Sequence, residues 1–242
     1  MSTRLCNVVV DAADPVALAE FWANLLGWRA SPSDAGEVDV VAPSDEGWEF
    51  DLVFVPVADP KVGKNRVHLD LASESPDHQA SIVAHAESLG AVHTDIGQRN
   101  VPWIVLADPE GNEFCVLEQR PEYAAAGAIA AVVVDAVEPL RLAEFWSAAS
   151  GWPVVGTTPG TASLRSPGGR GPWLEFIRTG EPHRVKNRVH LDVAPLAGED
   201  QWAEVTRLVE LGARKVDVGQ GSVSWQVMAD AEGNEFCVLS PR

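Results

Sequence analysis

The sequence predicts an α+β protein built as two tandem domains, and three duplicated blocks carry that prediction. VVVDAADPVALAEFW at Val8 to Trp22 returns as VVVDAVEPLRLAEFW at Val132 to Trp146. KNRVHLDLA at Lys64 to Ala72 returns as KNRVHLDVA at Lys186 to Ala194, and DPEGNEFCVL at Asp108 to Leu117 returns as DAEGNEFCVL at Asp230 to Leu239. The blocks keep their order, and the repeat has the length of a whole domain, not the roughly 20–50 residues of a solenoid unit. A chain of 242 residues gives each copy enough length for its own core. Pro121, a short alanine run and Gly127 mark a linker. The expected division is therefore 1–120, a linker at 121–127, and 128–242.

Each half reads strand, helix, strands, and then the same again. Asn7 to Val10 is a β-branched run that suits a strand. Asp14-Pro15 then opens a helix, with Asp as the cap and Pro at the first helical position. Leu18, Phe21, Trp22, Leu25 and Leu26 keep the spacing of one apolar helix face, and Gly27 ends it. Leu142, Phe145, Trp146, Ala149 and Gly151 repeat this pattern. Val38 to Val41 and Glu49 to Val55 read as strands, and Pro56 to Asn65 as a loop. Arg66 to Ala72 is a strand whose period of two puts Val67, Leu69 and Leu71 on one face and His68 and Asp70 on the other. His190 and Asp192 repeat that pairing. His78 to Leu89 is a second helix with Ile82, Val83, Ala86 and Leu89 inward. Pro102 to Ala107 and Glu113 to Glu118 form a hairpin. Its DPEGN turn suits a type I turn followed by a left-handed glycine, which pairs Val105 with Cys115. Ile104, Leu106, Phe114 and Val116 then pack under the helices, while Trp103, Val105, Cys115 and Leu117 line the opposite face.

Composition excludes several function classes. Eighteen Lys and Arg stand against 35 Asp and Glu, a formal charge of −17, so nucleic acid and anionic lipid are repelled. Three cysteines make no disulfide framework. The N-terminus does not read as a signal peptide and no apolar run is long enough to span a membrane, so a cytoplasmic protein without a membrane partner is expected.

The Asp-Pro helix start, the histidine-bearing KNRVHLDL strand and the DPEGNEFCVL hairpin together resemble the vicinal oxygen chelate superfamily, which includes glyoxalases, extradiol dioxygenases and bleomycin-resistance proteins. The resemblance covers nearly the whole chain twice. It implies four βαβββ units forming open barrels around cavities, with each half curling its own two units around one cavity. It also implies that a divalent metal, when present (Zn, Ni, Fe or Mn), takes one ligand from each of four strands and chelates two substrate oxygens. Those positions fall on Asn7, Val53, His68 and Cys115 in the first copy, and on Ala131, Glu175, His190 and Cys237 in the second. Ala131 has no donor atom and Asn7 is a poor one. The remaining candidate metal set is Glu175, His190 and Cys237, while buried cysteines also behave as small hydrophobes.

Two readings of the site follow. His68 with Asp70, and His190 with Asp192, are candidate acid–base pairs in which the carboxylate orients the ring; the alternative is a structural pair closing a barrel. Trp103 and Trp225, with Trp48 and Trp173 beside them, offer flat faces to an aromatic or hydrophobic ligand. Cys115 and Cys237 share that wall. Arg66 and Arg188 share the parity of the histidines and suit an anionic group or the carboxylates of their own sheet. Gln98 and Gln220 suit the rim. Trp22, Trp28, Trp146 and Trp152 read as core. The expected function is small-molecule binding in a barrel cavity without a complete metal site; the alternative is a metal-dependent lyase, isomerase or dioxygenase. The internal duplication suits a monomer that contains its own pseudo-dimer, or a homodimer.

Overall fold

A computed structural model describes residues 3–33, 36–48 and 50–242. Four units follow one another along the chain. The first runs β1 (Thr3–Ala12), α1 (Pro15–Leu26), β2 (Arg29–Pro32), β3 (Val38–Val41) and β4 (Asp51–Pro56). The second runs β5 (Val67–Leu71), α2 (Pro76–Ser88), β6 (Val92–His93), β7 (Ile104–Ala107) and β8 (Glu113–Val116). The third runs β9 (Ile129–Ala136), α3 (Pro139–Ser150), β10 (Val154–Thr157), β11 (Thr161–Arg165) and β12 (Trp173–Arg178). The fourth runs β13 (Val189–Pro195), α4 (Gln201–Glu210), β14 (Arg214–Lys215), β15 (Gln226–Ala229) and β16 (Glu235–Val238). The sequence reading anticipated most of these; the edge strands β2 and β6 carry no alternation strong enough to mark them. Glu49, where the fourth strand was expected to begin, lies outside the described residues.

Local chemistry explains the elements. Asp14 caps α1 by accepting from the Ala17 amide, and Gly27 closes it at φ 70°. Helix α2 starts at Pro76, two residues before the expected His78, because Ser75-Pro76 repeats the cap-then-proline logic of Asp14-Pro15. The DPEGN turn forms as expected: the Asp108 amide donates to the Asn112 carbonyl at 3.0 Å, Gly111 sits at φ 85°, and Val105 pairs with Cys115. Asp108 also accepts from the Asn112 amide at 2.9 Å and from Trp22 Nε1 at 3.2 Å, so the turn is pinned to α1. Leu106, Phe114 and Val116 join the main core, and Cys115 and Leu117 lie in a separate cluster on the other face.

The units do not pair within each half. One eight-stranded sheet has the order β14-β15-β16-β13-β1-β4-β3-β2, and the other β10-β11-β12-β9-β5-β8-β7-β6. Strand β1 pairs antiparallel with β13, and β5 with β9. Each sheet thus joins a unit of one half to a unit of the other: the first with the fourth, and the second with the third. The expectation that each half curls its own cavity is corrected by this exchange. A single apolar cluster containing Trp22, Phe114, Trp146 and Phe236 runs through all four units, so burial couples the halves.

The two KNR motifs meet at the junction. Arg66 donates to the Asp135 and Glu181 carbonyls and pairs with Glu232 at 3.2 Å. Arg188 donates to the Asp11 and Asp59 carbonyls and pairs with Glu110 at 2.8 Å. Glu110 and Glu232, from the two repeated turns, also accept from the backbone at the starts of α1 and α3. Carboxylates do receive Arg66 and Arg188, but across the halves; neither arginine lies beside the histidines.

Candidate functional site

His190 and Asp192 share one face of β13 because they are two residues apart, while Val189, Leu191 and Val193 face the core. Strand β16 runs parallel beside β13 and sets Cys237 opposite Asp192. On the other side β1 sets Asn7 opposite Asp192 and Val9 opposite His190, and β4 extends those rows with Asp51 and Val53. His190 Nε2 is 3.6 Å from Asp192 Oδ1 and 3.9 Å from Cys237 Sγ. The Cys237 amide donates to Asp192 Oδ1 at 3.2 Å. One donor atom from each of His190, Asp192 and Cys237 lies within 4.8 Å of the others.

Burial sets the electrostatics here. It raises Asp192, against the opposing pull of His190 and Cys237. It also raises the Cys237 thiol, and the Asp192 charge adds to that rise. Cys237 is therefore a protonated thiol at neutral pH and not a nucleophile. Side chains from six strands of this sheet enclose a cavity of about 590 Å³. Val9, Val53, Val55, Val227 and Leu239 give it apolar walls, His190 and Asp192 are among its lining, Gln220 lines it from a loop, and Trp225, 36% exposed, offers a ring face. The volume suits a small ligand.

The twin site on the other sheet has the same strand chemistry and a different fate. His68 Nε2 is 3.5 Å from Asp70 Oδ1, and Cys115 pairs opposite Asp70. Here the linker folds back over the face. A 3₁₀ turn at Pro121–Tyr123 buries Tyr123 and Ala126 against Cys115, Leu117 and Ala130, with Trp103 and Trp173 packed alongside. Tyr123 donates to Glu175 Oε2 at 3.2 Å, and the Arg120 guanidinium lies 5.5 Å from the Trp103 ring centre. Arg165 stacks on Trp173 at 4.9 Å and donates to the Ala125 carbonyl. Over the open face no such turn is present among the described residues; Leu239, Ser240 and Arg242, which follow β16, line the cavity there. Burial and nearby Lys64 push His68 down to about 3, with Glu113 opposing. Burial pushes Asp70 up to about 7. His68 Nδ1, Asp70 Oδ1 and Trp173 Nε1 are buried without a hydrogen-bond partner.

The crossed pairing redistributes the residues anticipated from sequence. Glu175 lies on β12, in the sheet of His68 and Cys115, so the expected set of Glu175, His190 and Cys237 is not brought together. Trp225 faces the open cavity, whereas Trp103 and Trp173 pack under the linker. Trp48 packs on Trp28 and Phe50, at 4.6 and 4.4 Å between ring centres, in a side chamber that shares Asn7, Asp51 and Arg242 with the open cavity. Gln98 accepts from Trp103 Nε1 at 2.7 Å. Sequence reasoning missed Tyr123, the lone tyrosine in the chain, and the carboxylates Glu37, Asp39 and Asp51 that line the open cavity. Tyr123 is the one tyrosine of the sequence and sits in the stretch read as a linker, which is the signal that could have found it.

Residues 7–117 and 131–239 each match the glyoxalase-like domain family. No curated protein sequence matches the chain. Among solved structures, glyoxalase I from Zea mays superposes with a TM-score of 0.66 at 13% identity, covering 99% of this chain and 92% of that one. A single-residue mutant of the same maize protein gives 0.68 at 14% identity, with 99% and 94% covered. A candidate dioxygenase from Bacillus subtilis subsp. subtilis str. 168 gives 0.62 at 15% identity, with 98% and 84% covered.

Proposed function

Because the chain belongs to the glyoxalase-like domain family in both halves, within the vicinal oxygen chelate superfamily, we propose that it binds a small flat hydrophobic or aromatic molecule in the His190 cavity, without the superfamily's full four-ligand metal set. One observation carries this reading: of two chemically similar strand faces, one is roofed by the linker, and the other forms a cavity of about 590 Å³ with an exposed indole. In that cavity Trp225 stacks on the ligand and the valine walls exclude water. His190 takes or gives a proton at the ligand, and Asp192, 3.6 Å away, orients the ring.

The donor chemistry argues against the complete set. The four strand positions of the open cavity hold Asn7, Val53, His190 and Cys237, and Val53 offers no donor atom. The sealed face holds Ala131, Glu175, His68 and Cys115, and Ala131 offers none. A second reading has a specific observation behind it: His190, Asp192 and Cys237 form a compact three-donor group whose imidazole, carboxylate and thiol suit zinc. A metal there would act as a Lewis acid on a substrate oxygen, and its binding would displace the Cys237 proton.

The two readings separate in one experiment. Protein stripped with a chelator is titrated with 2-naphthol by calorimetry, with and without added zinc. Binding of one equivalent by the stripped protein supports the first reading. Binding that appears only with zinc, and is lost with His190→Ala, supports the second and overturns the first.

A further inference from the structure

Among the described residues six carboxylates line the open cavity, against Lys186, Arg242 and His190. Two of them have local partners: Asp11 pairs with Lys186, and Glu235 lies 3.1 Å from His183 Nε2 and accepts from the Asn187 amide. Glu37, Asp39 and Asp51 have no ion pair among the described residues, and Asp192 has only the His190 ring, 3.6 Å away. Asp39 and Asp51 flank Val53, from β3 and β4, beside the valine wall. Burial lifts Glu37, Asp39 and Asp51 above the usual carboxylate range; Asp39 adds to the rise at Glu37 and Asp51 to the rise at Asp39, while the Arg242 charge only partly offsets Asp39 and Asp51. The open cavity thus holds an excess of negative charge against an apolar wall.

The twin face shows that the fold does not require these acids. The positions of Asp39 and Asp51 are taken there by Ser163 and Trp173, which occupy the same register beside β9 and β12. At these register positions the open face carries Asp39 and Asp51 while the covered face carries Ser163 and Trp173, with Glu175 at the position of Val53 between them. Packing gives no reason for Glu37, Asp39 and Asp51, since each is partly buried, none has an ion pair among the described residues, and the Arg242 charge relieves the desolvation cost only partly at Asp39 and Asp51.

We infer that the ligand of the open cavity is a cation: an ammonium or similar group on a flat apolar body, the cationic end set among Glu37, Asp39 and Asp51 and the ring on Trp225. This rests on the reading that the His190 cavity is the binding site. An aromatic ring meets Trp225 and the valines; the positive end meets carboxylates that lack one. A cation entering the cavity also relieves the repulsion among the three acids, so charge and shape act on the same molecule. The acidic lining repels carboxylates and phosphates of the same size.

Three probes of one shape test the inference: 2-naphthylmethylamine, its neutral alcohol 2-naphthalenemethanol, and 2-naphthoate. Each is titrated by calorimetry at pH 7.5 and low salt into the full chain, into Asp39→Asn/Asp51→Asn, and into Trp225→Ala. The amine should bind at one equivalent, on the order of tenfold or more tighter than the alcohol, with the naphthoate weakest. Asp39→Asn/Asp51→Asn should bring the amine to the level of the alcohol and leave the alcohol unchanged. If alcohol and amine bind alike and both depend on Trp225, the cavity stands as the binding site and the cationic class is overturned. If no probe's binding depends on Trp225, the cavity reading itself fails and the inference falls with it.

Discussion

Asp70 shows at the level of one residue what sealing a polar site costs. Its carboxyl is buried with one oxygen unpartnered, and its pKa is raised to about 7. A group whose folded-state pKa is raised favours folding fully below its unfolded value near 4, and that contribution is lost as pH rises through about 7. Asp70→Asn removes the charge, so its effect on stability should improve relative to the parent between pH 5 and 8. The shift corresponds to a few kcal/mol at most, about 1.4 per pH unit. Urea denaturation at both pH values measures this, and an Asp70→Asn effect equal at both would contradict it. His68 works in the opposite direction, because its depressed pKa makes its proton unfavourable in the folded protein from about 6.5 down to about 3. In the parent the two slopes oppose each other, so the variant is needed to expose either one. The histidine–aspartate pairs and their face were legible from period two alone. The difference between His68 and His190 was not, because their neighbours along the chain are nearly identical and their environments differ only through distant residues.

The linker decides that difference at the level of elements. Alternation and turn chemistry placed the helices, the histidine strand and the hairpin register correctly, since each is determined by residues within a few positions. The 3₁₀ turn at Pro121–Tyr123 escaped notice because proline and alanines read as a spacer. Its role depends on Tyr123 meeting Glu175, 52 residues away. Tyr123→Ala should lower stability by about 3 kcal/mol, as for other buried aromatics. Tyr123→Phe should cost about 1 kcal/mol, the worth of the bond to Glu175. A loss below 1 kcal/mol for Tyr123→Ala in denaturant melts would show that the segment is not packed over the site.

The crossed pairing of units belongs to the whole molecule, and no local pattern reveals it. Strand β1 meets KNRVHLDV where it could have met KNRVHLDL, so the partner strands carry nearly the same residues and their local chemistry does not tell the two pairings apart. The candidate metal set failed for this reason: Glu175 and His190 belong to one half of the sequence and to different sheets. The domain division at 121–127 remains our proposal, with the crossing as its consequence. A fragment ending at residue 127 leaves β1 without β13 and β5 without β9, and a second copy of the fragment can supply an equivalent strand for both. Expressed alone, it should form a dimer by light scattering; a folded monomer would contradict the pairing.

Duplication also supplies an internal control for the central claim, that one of two twin sites works. Trp225 and Trp103 hold equivalent positions, one on the open cavity and one beneath the linker. Calorimetric titration of 2-naphthylmethylamine into Trp225→Ala and Trp103→Ala, each confirmed folded by circular dichroism, compares the sites directly. The account predicts one equivalent bound by the parent, a loss on the order of tenfold or more in Trp225→Ala, and affinity within about twofold of the parent in Trp103→Ala. Two equivalents in the parent, or a loss confined to Trp103→Ala, would contradict it.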